Sequence, residues 1–178
     1  NNAQQAGTIN GLEAGLYVVI VTDSTDCSVA ASVQLTQPAP FVFTDSIAPA
    51  RCFTSTDGGV YLTVTGGTTA YSYAWSNNTA NQNLTGVGRG SYFVVVTDAN
   101  GCTAEEAFVV TSPPALLVAA SGNNPDCHGK ATGFAVASAG GGAAPYFYVW
   151  STTPAQSGVM GVNLSGDVPY TVTVTDAN

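Results

Sequence analysis

Charged residues are scarce in this chain of 178 residues. It has 3 Lys and Arg and 11 Asp and Glu, which is 8% of the sequence, against about 25% in an average soluble domain. The cations are Arg51, Arg89 and Lys130, and the net charge is −8. Nucleic acids and anionic membranes are bound through several clustered cations. The composition therefore predicts neither as a partner.

Long apolar segments and helical periodicity are also missing. The uncharged stretch 131–166 is interrupted by Gly, Ser, Thr, Asn and Pro, so it does not predict membrane insertion. Apolar spacing of the type i, i+3, i+4, i+7 is not sustained anywhere, and a composition rich in Thr and Val favours strands. We predict an all-β fold with essentially no helix. The chain also starts without Met or a targeting segment, so we expect it to be an excerpt of a larger mature protein.

A repeat of about 75 residues organises the sequence. The segment LYVVIVTD at 16–23 returns as SYFVVVTD at 91–98 and as PYTVTVTD at 169–176. The last copy is displaced by 78 residues instead of 75. Other landmarks keep the spacing of 75 residues: Cys27 and Cys102, Pro38 and Pro113, Cys52 and Cys127, Trp75 and Trp150. Shared landmarks at one period indicate a tandem array of similar modules.

The repeat divides the chain into three modules. We predict the C-terminal strands of a first repeat at 1–40, a complete repeat at 41–115, and a third repeat lacking its last strand at 116–178. In the complete repeat, strands are predicted at 41–47, 60–65, 71–75, 82–84, 92–97 and 104–111, with turns at 57–59 and 66–67. Six or seven short strands without a helix predict an immunoglobulin-like β-sandwich.

Aromatic residues alternate along the predicted third strand, at Tyr71, Tyr73 and Trp75. They would share one face of that strand, where immunoglobulin-like domains carry a core tryptophan. The alternative is an exposed platform that stacks sugar rings. We expect the core role for the aromatic residues that recur at fixed repeat positions: Tyr17, Tyr73, Trp75, Tyr92, Tyr148, Trp150 and Tyr170.

Four cysteines, Cys27, Cys52, Cys102 and Cys127, are spaced too widely for a zinc site. They are disulfide candidates. A bond between Cys52 and Cys102 would lie within one module, but the predicted strands separate these positions by about 20 Å, and a disulfide needs Cα atoms within about 7 Å. A second pairing would staple the Cys52 loop to the next repeat's equivalent of Cys102, just beyond Asn178. Pairing of Cys27 with Cys52, or free thiols, remain further alternatives.

No residue pattern predicts catalysis or a cofactor. The single histidine, His128, occurs in one repeat only and lacks the oriented partners of a catalytic base. Asp23, Asp98 and Asp176 recur at one position, where a calcium ion between modules is conceivable. The simpler interpretation is a hairpin turn at 98–101. We therefore expect a protein that is not an enzyme and that carries no catalytic, cofactor-binding or metal-binding residues.

Four segments resemble the SprB-type repeat of bacterial gliding adhesins. In the complete module they are GGTTAYSYAWS at 66–76 and GSYFVVVTDANGC at 90–102, and in the third module GGGAAPYFYVWS at 140–151 and TDAN at 175–178. The first module retains only Gly15, Tyr17, Thr22-Asp23, Cys27 and Gln37-Pro38. The resemblance implies a very large, repetitive bacterial surface protein that is exported by the type IX route and acts as an adhesin or filament.

The resemblance leads to an expected function. We expect an extracellular, cell-surface fibre or stalk for attachment or gliding that associates with like chains through weakly charged strand edges. The alternatives are an array of carbohydrate-binding modules, which would bind surface glycans, and spacer modules of a large secreted enzyme. Candidate glycosylation positions are Ser24, Ser46, Asn77, Asn83 and Asn163.

Overall fold

The computed structural model describes residues 7–178, which form fourteen β-strands and no helix. This confirms the all-β prediction. The strands are β1 (Gly15–Thr22), β2 (Ser28–Leu35), β3 (Val42–Ala48), β4 (Gly58–Thr65), β5 (Ser72–Trp75), β6 (Leu84–Val87), β7 (Gly90–Thr97), β8 (Thr103–Val110), β9 (Leu117–Asn123), β10 (Gly133–Gly140), β11 (Phe147–Trp150), β12 (Gln156–Ser157), β13 (Met160–Leu164) and β14 (Val172–Thr175). Within the described part of the chain, nothing forms a helix long and apolar enough to cross a membrane.

The complete module is a sandwich of two antiparallel sheets. One sheet has the strand order β3-β4-β6 and the other has the order β5-β7-β8. In chain order these correspond to strands A, B and E against C, F and G of an immunoglobulin domain. The first and last strands meet where the backbone N–H of Ala50 donates to the carbonyl of Thr111 at 2.8 Å. The module therefore begins at one end, before β3, and ends at the other, after β8.

Inward-facing side chains of both sheets form the core of this module. Alternation along β4 and β7 places apolar residues on the inner face of each strand. The most deeply buried are Val60 and Val94, each 0% exposed, and Trp75 is 3% exposed. The core consists of Val60, Leu62, Val64, Trp75, Leu84, Val87, Val94, Val96, Phe108 and Val110.

The third module repeats this arrangement with a smaller core. Its sheets have the strand orders β9-β10-β13 and β12-β11-β14. Trp150 occupies the repeat position of Trp75 and is buried. Ala137 is buried at the repeat position of Leu62, so this module packs less apolar volume around its tryptophan than the complete one.

The first module contributes the hairpin β1–β2, whose strands pair in register from Gly15 with Leu35 to Thr22 with Ser28. The hairpin corresponds to β7–β8 in the complete module. Val19 and Val21 are 56% and 60% exposed, whereas their counterparts Val94 and Val96 are both 0% exposed. In the described residues, the hairpin thus presents to solvent the face that the complete module buries.

Two details of the predicted strands were wrong. The short strand predicted at 82–84 lies at Leu84–Val87, and the turn predicted at 57–59 is instead the start of β4, with Gly58 and Gly59 buried in it. A Cβ atom on Gly58 would lie 2.7 Å from Cγ1 of Val110, and one on Gly59 would lie 2.7 Å from the carbonyl oxygen of Leu84. These glycines therefore mark close packing and not a change of chain direction.

Candidate functional site: the module ends

Asp98 is the central residue at one end of the complete module. It is 6% exposed. Its carboxylate accepts hydrogen bonds from the backbone N–H groups of Thr68 at 2.9 Å, Asn100 at 2.9 Å and Cys102 at 2.8 Å. The hydrogen bonds from Asn100 and Cys102 close the turn after β7, where the Gly101 N–H also donates to the Asp98 carbonyl at 3.0 Å. The hydrogen bond from Thr68 ties this turn to the loop after β4.

These N–H donors favour the charged form of Asp98. The hydrogen bond from Thr68 is the largest cause that lowers the pKa of this carboxyl below its usual value, with further contributions from Cys102 and Asn100. Asp23 also has a lowered pKa, because the side chain and backbone of Thr25 and the backbone of Cys27 donate to it. The recurring aspartate thus organises a turn.

Asp176 holds the equivalent position in the third module. Its carboxylate accepts from the N–H of Ala143 at 2.9 Å and of Asn178 at 3.0 Å. At these aspartates, the oxygen atoms that a calcium ion would require are engaged by amide donors. No group of three or more His, Cys, Asp and Glu side chains that could hold a metal occurs among residues 7–178.

The loop at 49–57 forms the opposite end of the complete module. The N–H of Arg51 donates to Asp57 at 3.0 Å, and the Ser55 hydroxyl lies 2.6 Å from the same carboxylate oxygen. Both hydrogen bonds lower the pKa of Asp57, and the bond from Ser55 has the larger effect. The Cys52 N–H donates to the Ser55 hydroxyl at 3.0 Å. The Arg89 guanidinium lies 3.8 Å from the ring centroid of Phe53 and covers the loop.

This loop contacts the third module. The side-chain amide of Asn178 donates to the backbone carbonyl of Arg51 at 2.6 Å. Asn178 belongs to the turn built on Asp176, so the aspartate end of one module meets the 49–57 end of the module before it. We call this contact the module junction, defined by residues 49–57 and 176–178.

The cysteines lie at these two kinds of module end. Cys52 is half-buried in the loop at 49–57, whereas Cys102 is exposed in the aspartate turn at the other end. Cys27 is exposed in the corresponding turn of the first module, and Cys127 is exposed in the loop of the third that corresponds to 49–57. All four thiols are free in the structure.

A hydrogen bond made by Tyr92 was not predicted from the sequence. Its hydroxyl donates to the carbonyl of Gly88, four residues earlier, at 3.1 Å, and Tyr17 does the same to Glu13 at 2.9 Å. Tyr170 differs, because its hydroxyl accepts from the N–H of Ser165 at 3.1 Å. A tyrosine that begins strand F and bonds to the backbone upstream is the tyrosine corner of immunoglobulin-like domains. The spacing G-x-Y before a β-rich run was the available signal.

The tryptophans are held inside their modules. Trp75 is 3% exposed and its indole N–H donates to the carbonyl of Asn81 at 2.8 Å, and Trp150 is 2% exposed and donates to Gly158 at 3.0 Å. Tyr73 and Tyr148 are half-buried. Sugar stacking requires an open ring face, and neither indole offers one.

The remaining candidate residues are dispersed. His128 is exposed in the loop between β9 and β10. The five glycosylation candidates are exposed: Ser24, Ser46, Asn77, Asn83 and Asn163. Two of them are also structural, because Asn77 accepts from the Thr79 hydroxyl at 2.8 Å and Asn83 accepts from the Leu62 N–H at 3.0 Å.

Comparison with protein families adds an identification to this geometry. Residues 44–80 and residues 119–154 each match the family model of the SprB repeat. Two segments of the chain are similar to the SprB repeat. Both matches begin at the same position of the 75-residue period and run from the first strand of a module to just beyond its tryptophan. No curated protein matches the chain.

The SprB matches cover about two fifths of the chain. They include β4 and β5 of the complete module but stop before β6, β7 and β8. The SprB repeat is a structural repeat of surface proteins and not an enzyme family. The matches therefore include the loop at 49–57 but not the aspartate turns at 98–102 and 176–178.

Proposed function

We propose that this chain is a structural and adhesive segment of a large, repetitive extracellular bacterial surface protein. Its modules form a fibre or stalk that holds a cell against a surface, for attachment or for gliding, after export by the type IX route. The observation that carries the proposal is the module junction, where Asn178 of one module bonds to Arg51 of the module before it. Modules that join end to end gain length with each repeat.

The direction of the chain supports this role. It enters the complete module before β3 and leaves after β8, at the opposite end, as the bond between Ala50 and Thr111 indicates. Short proline-containing linkers at 36–40 and 111–116 join the modules, and such linkers are stiff. A stiff rod of non-catalytic modules is suited to spanning distance, and we propose no enzymatic activity for it.

Association with like chains is the second part of the proposal. The strands β5 and β6 lie at sheet edges of the complete module and carry no charged residue, and such edges are open to pairing with a strand of another chain. A second copy of the chain presents the same edges and little charge to oppose contact. We expect sedimentation velocity to show reversible association across the micromolar range.

A matched pair of variants tests this association. Thr85→Lys places a charge on the edge strand β6, whereas Thr63→Lys places the same charge on the central strand β4, and both positions are exposed. We expect the first to weaken association more than the second. A wild-type chain that stays monomeric throughout would contradict the proposed contact between copies.

Electron microscopy of intact cells tests the proposed function as a whole. Antibodies raised against the chain should label surface fibres with a repeat of about 30–40 Å, the length of a compact module with strands of eight residues. Bacteria that lack the protein should attach less to glass. Labelling confined to the cell interior, or unchanged attachment, would contradict the proposal. A glycan-binding screen separates adhesion to sugars from adhesion to other surfaces.

A further inference from the structure

The module junction brings a cysteine loop of one module to the aspartate turn of the next. Asn178 donates to the carbonyl of Arg51 at 2.6 Å, and Arg51 directly precedes Cys52. The two residues are 127 positions apart in sequence. Cys52 therefore lies within about one side chain's length of the turn at 176–178.

The same turn carries a cysteine in the other two modules. Cys102 follows Asn100 by two residues and donates its N–H to Asp98 at 2.8 Å. Cys27 donates its N–H to Asp23 at 3.0 Å in the first module. Asn178 occupies the position of Asn100, so a following module that keeps this pattern would have its cysteine two positions after that asparagine, beside the loop that carries Cys52.

Pairing of Cys52 with Cys102 inside one module is incompatible with the fold. Cys102 immediately precedes β8, whereas Cys52 lies in the loop whose Ala50 N–H reaches Thr111, just after β8 ends. The eight residues of β8 span about 25 Å. The Cα atoms of a disulfide lie within about 7 Å of each other.

We propose that the cysteine of the 49–57 loop forms a disulfide with the cysteine of the aspartate turn in the module that follows it. Two thiols lose two protons and two electrons, the S–S bond forms, and a thiol oxidase or dioxygen accepts the electrons. The inference rests on the extracellular location proposed above, where such bonds persist. Each junction of an array then contains one covalent bond, and each complete module contributes one cysteine to the junction at either end.

The wild-type chain gives the first test. The repeat puts the partner of each of the four cysteines outside residues 1–178, so a thiol reagent should titrate four thiols per chain in denaturant after aerobic purification at low protein concentration. Two thiols, with Cys52 joined to Cys102, would overturn the proposal.

Asn178→Cys gives the second test, because it brings a thiol to the junction itself. Trypsin cleaves after Arg51, Arg89 and Lys130 and gives the peptides 1–51, 52–89, 90–130 and 131–178. Cys52 is then on a different peptide from the other cysteines and from position 178. After oxidation with oxidised glutathione, we expect peptide 52–89 to be joined to peptide 131–178 in the monomer. Cys52→Ser in the same variant should abolish this product.

Asn100→Cys is the matched control, since it changes the same repeat position at the far end of the complete module. It should give no product that joins peptide 52–89 to peptide 90–130. An introduced thiol at 178 that stays free, or that pairs equally with the other cysteines, would overturn the junction geometry. In the native surface protein, free thiols at these positions would overturn the disulfide and leave the adhesion assay unaffected, so the two proposals fail separately.

Discussion

The rings of Trp75 and Phe108 lie 5.7 Å apart between centroids, with their planes inclined at 45°. The two residues belong to β5 and β8, which flank β7 in one sheet. Their contact crosses the inner face of β7 and joins the third strand of the module to its last. The tryptophan therefore packs against a residue that is added only when the final strand is in place.

Phe108→Ala should destabilise the complete module strongly. Phe108 is 5% exposed, and truncation of a buried phenylalanine costs about 3–5 kcal/mol because it leaves a cavity. Urea denaturation followed by tryptophan fluorescence measures this loss. Phe93→Ala is the control, because Phe93 is 45% exposed and its removal should cost less than about 1 kcal/mol. Equal losses in the two variants would contradict the described core.

Gly58→Ala should destabilise the module by about 1–3 kcal/mol, the usual cost of overpacking. The added methyl group would lie 2.7 Å from Val110 and 2.9 Å from the carbonyl oxygen of Val87. Gly90→Ala is the control, since its nearest neighbours are atoms of the Tyr92 ring at 3.5 Å. Thermal denaturation should show a lower Tm for the first variant only.

Tyr92→Phe should lower the free energy of unfolding by about 0.5–1.5 kcal/mol, the net contribution of one hydrogen bond. The change removes the bond to the Gly88 carbonyl at 3.1 Å and keeps the ring. Tyr61→Phe, on the outer face of β4 where Tyr61 is 50% exposed, should be nearly neutral. Chemical denaturation of both variants tests the tyrosine corner, and an unchanged midpoint for the Tyr92 variant would count against it.

Asp98 should make the stability of the module depend on pH in the acidic range. Its folded-state pKa is lower than its usual value of 3.8, so the unfolded chain binds the proton more tightly than the folded one. The stabilisation is complete above the unfolded-state pKa and is lost as pH falls through the lowered folded-state pKa.

Asp98→Asn isolates this effect, since an amide has one oxygen for three N–H donors and does not titrate. We expect a lower Tm at neutral pH and a smaller further decrease below pH 4 than in the wild type. Glu105→Gln, at an exposed position of β8, should leave the acid dependence nearly unchanged. A wild-type profile identical to that of the Asp98 variant would contradict the assignment.

Much of the fold could be predicted because the repeat supplied three views of the same pattern. Alternation in the segments that became β4 and β7 defined both strands, and the recurring Trp75 and Trp150 marked the third strand. The sequence predicts a turn at Gly58 and Gly59, because it does not show that Val110 and Leu84 approach them. Close packing between strands depends on their exact pairing register. The sequence pattern shows only which face of a strand is buried.

The module ends were predictable in part. The predicted strands placed Cys52 and Cys102 about 20 Å apart, but they left pairing of these two cysteines open as an alternative. The bond from Asn178 to Arg51 was beyond sequence reasoning, because it depends on the angle between two modules. The bond from Tyr92 to Gly88 was local and carried a signal, but an interpretation of the tyrosine as a core residue overlooked its hydroxyl.

The hydrogen bond between Ala50 and Thr111 has a mechanical consequence. Since β3 and β8 run in the same direction and the chain enters and leaves at opposite ends, tension on the fibre pulls these strands past each other lengthwise. The core contacts between the two sheets are then loaded together and resist as a group, whereas sheets peeled apart from one end lose their contacts one at a time. If the group yields, a module of 75 residues would release on the order of 250 Å of slack chain, enough to absorb a sudden pull while the rest of the fibre stays folded.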